Sequence, residues 1–279
     1  MSPEAEAADI AGLVRESGTS FYWAMRFMPA RQRNAMFAIY AFCRVVDDIA
    51  DDAGSELEKQ SALNGWRAEI QKVFEGRPTT PIGMALTDAA KTYPLARQDL
   101  ADVIDGMHMD SVDRLRINDL AELFVYCDRV ACAVGRLSVA VFGETGPMGQ
   151  RLARTLGDAL QLTNILRDID EDAGRDRVYV PKSILSRAGI GHDDASEIVR
   201  HPNLPAVLET ISQLASSRFR EAEFALRHCD AGRVRTAKIM MRVYRRTFER
   251  LQRRGWSPPR APVRLSKLEK LGIAVTSYL

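Results

Sequence analysis

The helical spacing of apolar residues continues along almost the whole chain and is the strongest constraint on its fold. No long stretch alternates apolar with polar residues, and Gly and Pro number only 18 and 12 among 279 residues, which disfavours a turn-rich β fold. The spacing predicts helices at 4–16, 30–52, 55–75, 82–92, 97–110, 118–142, 148–172, 204–229, 232–254 and 264–277. The loops between them are too short to link separate domains, so we expect one all-α domain over residues 1–279.

Composition argues against several classes of function. The net charge of +2 gives no reason to expect nucleic-acid binding. The four cysteines form no C-x-x-C pair and the four histidines no H-x-x-x-H pair, so a structural zinc site is not expected. The N-terminus is acidic, unlike a signal peptide, and no apolar run approaches the roughly 18 residues of a membrane span. We therefore expect a soluble cytoplasmic protein with reduced thiols.

Charge is distributed unevenly along the chain. Residues 218–270 contain 16 Lys and Arg against 5 Asp and Glu, whereas the preceding residues carry a net negative charge. Such a basic segment forms either solvated helix faces or a surface for anionic lipid headgroups at the inner face of the membrane. The sequence leaves both interpretations open.

An acidic cluster closes the helix predicted at 30–52. Asp47 and Asp51 are four residues apart and share one helix face, where like charges repel by about 0.2–0.5 kcal/mol. Helix stability therefore does not explain them, whereas binding of cations does. Arg44 lies three residues before Asp47 on the same face.

A second cluster closes the helix predicted at 148–172. Gln161, Asn164, Asp168 and Asp172 follow one another at i, i+3, i+7 and i+11 and form one continuous stripe. Carboxylate and amide oxygens are ligands of Mg²⁺, which usually takes one or two carboxylates and leaves other positions to water and phosphate. Two such stripes facing each other across a bundle predict a site for Mg²⁺ and a diphosphate.

Arginines adjoin both clusters, in positions that suit phosphate binding. Arg44 and Arg167 lie within the acidic helices, and Arg175 and Arg177 follow the second cluster. The segment 172–177 contains a glycine and no large apolar residue, so we expect a mobile loop that closes over the phosphates. The alternative is a rigid turn held by ion pairs, such as Asp172 with Arg175.

The segment 123–143 is apolar and predicts a hydrophobic pocket beside the acidic site. It contains the small residues Ala131, Ala133 and Gly135. Because glycine inside a helix costs about 1 kcal/mol relative to alanine, Gly135 indicates either room for a ligand or a close contact between helices.

Taken together, these motifs resemble those of the squalene/phytoene synthase family. Besides the acidic clusters at 47–51 and 164–172, the resemblance includes residues 20–21, 38–44, 106–110, 126–127 and 177–181. It extends from about residue 15 to 275.

The resemblance implies an all-α isoprenoid synthase bundle with a central apolar cavity, and the Mg²⁺-dependent head-to-head condensation of two prenyl diphosphates. By the family pattern, the ligands of Mg²⁺-diphosphate are Asp47, Asp51, Asp168 and Asp172, with Asn164 beside them. Tyr126 is expected near the reacting carbons. The residues that the resemblance assigns to substrate binding are Ser17, Ser20, Phe21, Tyr40, Arg44, Gln161, Asn164, Arg167, Arg175 and Arg177.

Within the family, the Asp-Asp-Ile-Ala-Asp motif and residues 20–26 look most like bacterial presqualene diphosphate synthases of hopanoid pathways. This implies two molecules of farnesyl diphosphate as substrates and downstream isoprenoid enzymes as further partners. A phytoene or dehydrosqualene synthase is the alternative enzyme. A helical assembly or scaffold protein is the non-enzyme alternative, but such a relative is expected to have lost its aspartates. The proton acceptor is either Tyr126 or the released diphosphate.

Overall fold

The computed structural model describes residues 10–12, 14, 20–191 and 193–278. It is helical almost throughout, with one short pair of parallel strands. The helices are α1 (Ser20–Arg26), α2 (Ala30–Asp51), α3 (Glu56–Phe74), α4 (Pro81–Thr92), α5 (Arg97–Asp110), α6 (Leu120–Cys127), α7 (Ala133–Phe142), α8 (Pro147–Gly174), α9 (Lys182–Arg187), α10 (Ala195–Arg200), α11 (Leu204–Arg227), α12 (Arg235–Arg254) and α13 (Lys267–Tyr278). The strands are β1 (Leu115–Arg116) and β2 (Arg177–Val178).

The all-α prediction is confirmed, and the predicted long helices are present with small shifts at their ends. The prediction at 4–16 falls mostly outside the described residues, although 10–12 and 14 are helical. Sequence periodicity missed α1, α9 and α10, because helices of six or seven residues complete fewer than two turns. It also missed the pairing of β1 with β2, which joins residues far apart in the chain.

The helix predicted at 118–142 contains a π-helical turn. This turn, Asp128–Cys132, lies between α6 and α7. Two glycines of neighbouring helices make room for it. A Cβ added at Gly106 would lie 2.5 Å from Val130 Cγ1, and one at Gly157 would lie 2.8 Å from the backbone nitrogen of Cys132. The glycines therefore allow α5 and α8 to approach the wider turn.

The long helix α8 lies at the centre of the packing. It contacts α7, the π-helical turn and α11, and it buries an apolar face along most of its length. Gly135 of α7 meets it closely, since a Cβ there would be 2.7 Å from the carbonyl oxygen of Ala153. The structure therefore shows the close helix contact at Gly135, and because Gly135 also lines an apolar pocket between α7 and α8, the ligand interpretation stays open as well.

Substitution of Gly157 tests this packing. We expect Gly157→Ala to lower the free energy of unfolding by about 1–3 kcal/mol, because the added methyl overpacks against Cys132. Gly65 of α3 is the matched control, since a Cβ there meets nothing within 4 Å. Gly65→Ala should stabilise the protein by up to about 1 kcal/mol. Urea unfolding of both variants checks this, and equal effects of the two substitutions would contradict the account.

Candidate active site

A cleft of about 370 Å³ lies where α2 and α8 end. Asp47 and Asp51 project into it from α2, and Asp168 and Asp172 from α8. The other predicted site residues that line the same cleft are Tyr40, Arg44, Tyr126, Gln161, Asn164, Arg167, Arg175 and Arg177. The structure therefore brings both acidic stripes and the basic residues together, while their individual roles stay predictions.

Three predicted residues cannot be placed in this way. Ser17 lies outside the described residues. Ser20 and Phe21 belong to α1, but their side chains are outside the part that the structure describes. Their assignment to substrate binding stays a prediction from the family pattern.

Arginines partly neutralise the carboxylates of the cleft. On α2, Arg44 Nη1 lies 3.4 Å from Asp47 Oδ2. Asp51 binds Arg175 at 2.5 Å and Arg177 at 2.6 Å. On α8, Arg167 Nη2 lies 2.6 Å from Asp168 Oδ2.

The pKa values show that burial, followed by neighbouring carboxylates, disfavours the charged form of two of these aspartates. Burial and the neighbouring charge of Asp51 raise the pKa of Asp47 to about 6. Burial, followed by the charges of Asp168 and Asp110, raises the pKa of Asp172 to about 8. Asp51 is also partly buried, but its hydrogen bonds with Arg177 and Arg175 outweigh burial and hold its pKa below the ordinary value. A bound cation would relieve this repulsion.

The donor atoms fit a hard divalent cation that binds together with phosphate. Asn164 Oδ1 is buried and has no hydrogen-bond partner, an arrangement that costs about 1–3 kcal/mol unless a ligand satisfies the oxygen. Within the described residues, no three His, Cys, Asp or Glu side chains are close enough to hold a metal ion by themselves. Phosphate oxygens would have to complete the coordination, as is usual for Mg²⁺.

A buried Tyr–Asp–Tyr cluster forms another wall of the cleft. The hydroxyls of Tyr126 and Tyr179 donate to Asp110 over 3.0 Å and 2.7 Å, and the two rings stack at 4.7 Å between centroids. Burial raises the pKa of Asp110 to about 6, although the hydrogen bond from Tyr179 and the charge of Arg177 oppose the shift. Burial and the charge of Asp110 raise the pKa of both tyrosines well above the ordinary value.

Sequence reasoning missed Asp110 and Tyr179 as site residues, although both lie within the motifs that carry the family resemblance. The available signal was one of several aspartates in the helix at 97–110 and a tyrosine between two valines. Neither signal shows that the two side chains meet, because 69 residues separate them.

The structure holds the Arg177 side chain in place, which differs from the expectation of a mobile loop after α8. That side chain is only 9% exposed, and it also donates to the carbonyl oxygens of Ala50 and Asp110 over 2.9 Å and 2.8 Å. These bonds hold the end of α2 to the end of α5. Arg175 differs, because it is half-exposed and bound through Asp51 and Glu171, rather than through Asp172 as the rigid-turn alternative expected.

An apolar pocket of about 70 Å³ adjoins the cleft between α7 and α8. One wall is continuous, since Val130 lines the cleft and Val134, one helical turn further, lines the pocket. On α8, Asn164 and Gln161 line the cleft, and Leu160 lines the pocket. The predicted apolar region is therefore present, and methionines at positions 25, 36 and 240 form part of its lining.

Comparison with known proteins identifies the family. The squalene/phytoene synthase family model matches residues 14–269, and the chain belongs to this family. A presqualene diphosphate synthase from Sinorhizobium fredii is 43% identical over 257 residues, which cover 92% of this chain and 91% of that protein. One from Rhodopseudomonas palustris is 42% identical over 256 residues, which cover 92% of this chain and 91% of that protein.

Phytoene synthases and solved structures give more distant matches. Phytoene synthase 2 of Solanum lycopersicum is 38% identical over 196 residues, which cover 68% of this chain and 63% of that protein. The crystal structure of a dehydrosqualene synthase with a bound ligand superimposes with a TM-score of 0.86 at 24% identity. The superposition covers 99% of this chain and 96% of that one, and it shows the shared fold.

The pKa of Asp172 predicts how the cleft affects stability in the absence of metal and diphosphate. The folded protein keeps Asp172 protonated up to pH about 8, whereas the unfolded chain releases the proton near 3.8, so rising pH between these values favours unfolding. Asp172→Asn removes this effect. We expect the variant to melt at a higher temperature than the parent, with a difference that grows from pH 4 to pH 8.

Thermal melting in metal-free buffer across this pH range measures the difference. Asp113→Asn, which removes an exposed carboxylate, is the control for the change of one charge. A melting difference for Asp172→Asn that stays constant with pH would show that Asp172 is not held protonated by its surroundings.

Proposed function

We propose that the protein is a prenyltransferase that condenses two molecules of farnesyl diphosphate head to head into presqualene diphosphate. The observation that carries this proposal is the meeting of two acidic helix ends in one cleft beside an apolar pocket. The similarity to presqualene diphosphate synthases over most of the chain supports the choice of product. The aspartates that a scaffold relative is expected to lose are all present.

Mg²⁺ is the proposed cofactor, held with the diphosphate by Asp47, Asp51, Asn164, Asp168 and Asp172. When bound, it neutralises charge on the diphosphate that leaves. Arginine side chains of the cleft add hydrogen-bond donors for the phosphate oxygens. Arg175 is suited to this because it is half-exposed and can exchange its ion pairs with Asp51 and Glu171 for a phosphate oxygen.

The reaction begins when the allylic C–O bond of one farnesyl diphosphate breaks and the diphosphate leaves with the electron pair. The C2=C3 double bond of the second molecule attacks the resulting carbocation. Loss of a proton then closes a cyclopropane ring. The second diphosphate stays attached, so the product is presqualene diphosphate.

The Tyr126–Asp110 pair offers a route for the released proton. The Tyr126 oxygen accepts the proton as its own hydroxyl proton passes to Asp110, to which it is already hydrogen bonded. Because the pKa of Asp110 is about 6, its carboxylate is a stronger base than an ordinary aspartate. Released diphosphate is the alternative acceptor.

The apolar pocket is proposed to hold prenyl chains and to keep water from the carbocation. Its present volume of about 70 Å³ is far below the roughly 300 Å³ or more of typical pockets for ligands of this size. The pocket must therefore widen on binding. Methionine side chains in its lining adapt easily to such a change.

No helix within the described residues is long and apolar enough to cross a membrane. We place the protein in the cytoplasm, in peripheral contact with the inner face of the membrane. Downstream isoprenoid enzymes that consume presqualene diphosphate are its proposed partners.

Product analysis tests the reaction. We expect incubation with farnesyl diphosphate and Mg²⁺, without a nicotinamide cofactor, to give presqualene diphosphate, which mass spectrometry recognises by its retained phosphate ester. Omitting Mg²⁺ is the control and should abolish the product. A hydrocarbon product under the same conditions would instead establish the dehydrosqualene synthase alternative.

Substitutions of two aspartates in the second acidic cluster test the assignment of the metal–diphosphate site. We expect Asp168→Ala to lower turnover at least about 100-fold while the protein stays folded, because it removes a carboxylate of the metal–diphosphate site. Asp170→Ala is the matched control, since Asp170 pairs with Arg260 and does not line the cleft. Turnover of purified variants measures both. Near-normal activity of the Asp168 variant would overturn the site assignment.

A further inference from the structure

The outward face of α13 is apolar. Leu268 is 81% exposed and Val275 is 46% exposed. With Leu271 and Gly272, they follow the spacing i, i+3, i+4 and i+7, which places them in one stripe. A surface helix normally turns charged residues outward, so this stripe is unusual.

The inward face of α13 already has a partner. Ala274 is fully buried and packs in a small apolar cluster with residues of α1 and α12, including Ala24, Ile239 and Val243. The stripe is therefore not needed to attach α13 to the protein.

Basic side chains border the stripe. Arg242 and Arg246 of α12 line the groove between α12 and α13, together with Gly272 of the stripe. Arg242 donates to the carbonyl oxygen of Thr276 over 3.3 Å and to Ser277 Oγ over 2.9 Å, which holds it beside α13. Exposed Lys267 lies at the start of α13.

Two acidic residues share this groove, and both are paired. Glu249 lies 3.7 Å from Arg246, and Glu269 pairs with Arg250. Exposed Arg264 precedes α13 and adds to the positive charge of the region. The border of the stripe is thus net basic.

The opposite side of α13 approaches the cleft. Lys270 lies there, and its pKa is lowered by burial and by the charge of Arg167, a residue of the cleft. The helix therefore has the apolar stripe on one side and, on the other, a lysine that senses the charge of Arg167 in the cleft.

We propose that the outer face of α13, with its border of arginines and lysine, docks on an anionic lipid bilayer. Leu268, Leu271 and Val275 enter the boundary between headgroups and acyl chains, and the basic side chains neutralise headgroup phosphates. A protein partner would cover the apolar stripe but would not account for its net basic border. If the proposed function holds, docking would also keep the cleft near the membrane, where the amphipathic product of the reaction partitions.

Vesicle flotation with the full-length protein tests the proposal. We expect binding to vesicles of phosphatidylcholine with phosphatidylglycerol, weaker binding to phosphatidylcholine alone, and a decline with added salt. The double substitution Leu268→Asp with Val275→Asp should abolish binding. Leu57→Asp is the matched control, since Leu57 is 78% exposed at the start of α3, outside the stripe.

Single substitutions of charged residues test the basic border of the stripe. They also keep the proposal testable if the double variant does not fold. Arg246→Gln and Lys267→Gln should each reduce partitioning about five-fold, whereas Lys91→Gln on α4 should leave it unchanged. Failure of the parent protein to bind anionic vesicles, or equal binding of the stripe variants, would overturn the proposal. A dimer in the absence of lipid would also overturn the proposal if light scattering shows that the Leu268→Asp, Val275→Asp variant dissociates it. That result would assign the face to a second copy of the chain.

An activity assay with dispersed farnesyl diphosphate and no vesicles tests the proposed function independently of the docking proposal. The stripe and border variants should retain it, because none of these residues lines the cleft. Vesicle binding needs no substrate, so the docking surface and the reaction can fail independently.

Discussion

The burial of four neighbouring carboxyl groups in one cleft is the constraint on which the rest of the structure depends. Asp47 and Asp51 end α2, and Asp168 and Asp172 lie near the end of α8. Burial, followed by the charges of neighbouring carboxylates, raises the pKa of Asp47 to about 6 and that of Asp172 to about 8. Such a site favours a bound cation, and the proposed metal–diphosphate complex would supply it together with the missing oxygen ligands.

The surrounding fold holds these charges in place despite their repulsion. Close contacts at Gly106 of α5 and Gly157 of α8 hold the π-helical turn, which packs against both helices. Arg177 then links the ends of α2 and α5 through Asp51 and two backbone carbonyl groups. Arg175 binds the same carboxylate from a half-exposed position, so it is the arginine that is free to follow a phosphate. One arginine therefore stabilises the cleft, and the other is suited to respond to substrate.

The sequence predicted those parts of the site that depend on local spacing. Asp168 and Asp172 share a face because they are four residues apart in one helix, and no other element is needed to infer this. Contacts between distant segments were not predictable in this way. The bond between Arg177 and Asp51 joins residues 126 positions apart, whereas the loop sequence, with one glycine and no large apolar residue, predicted mobility instead. The Asp110–Tyr179 contact and the room that Gly157 leaves for the π-helical turn also depend on packing between distant helices.

A crystal structure with Mg²⁺ and a non-hydrolysable farnesyl diphosphate analogue tests the central claim most directly. The account predicts cations that contact carboxylates of both α2 and α8, with Asn164 Oδ1 as a ligand and Arg175 moved from Asp51 to the diphosphate. The prenyl chain should occupy a widened pocket between α7 and α8. A diphosphate bound outside the cleft, or cations held by one helix alone with Asn164 Oδ1 still unpartnered, would contradict the account.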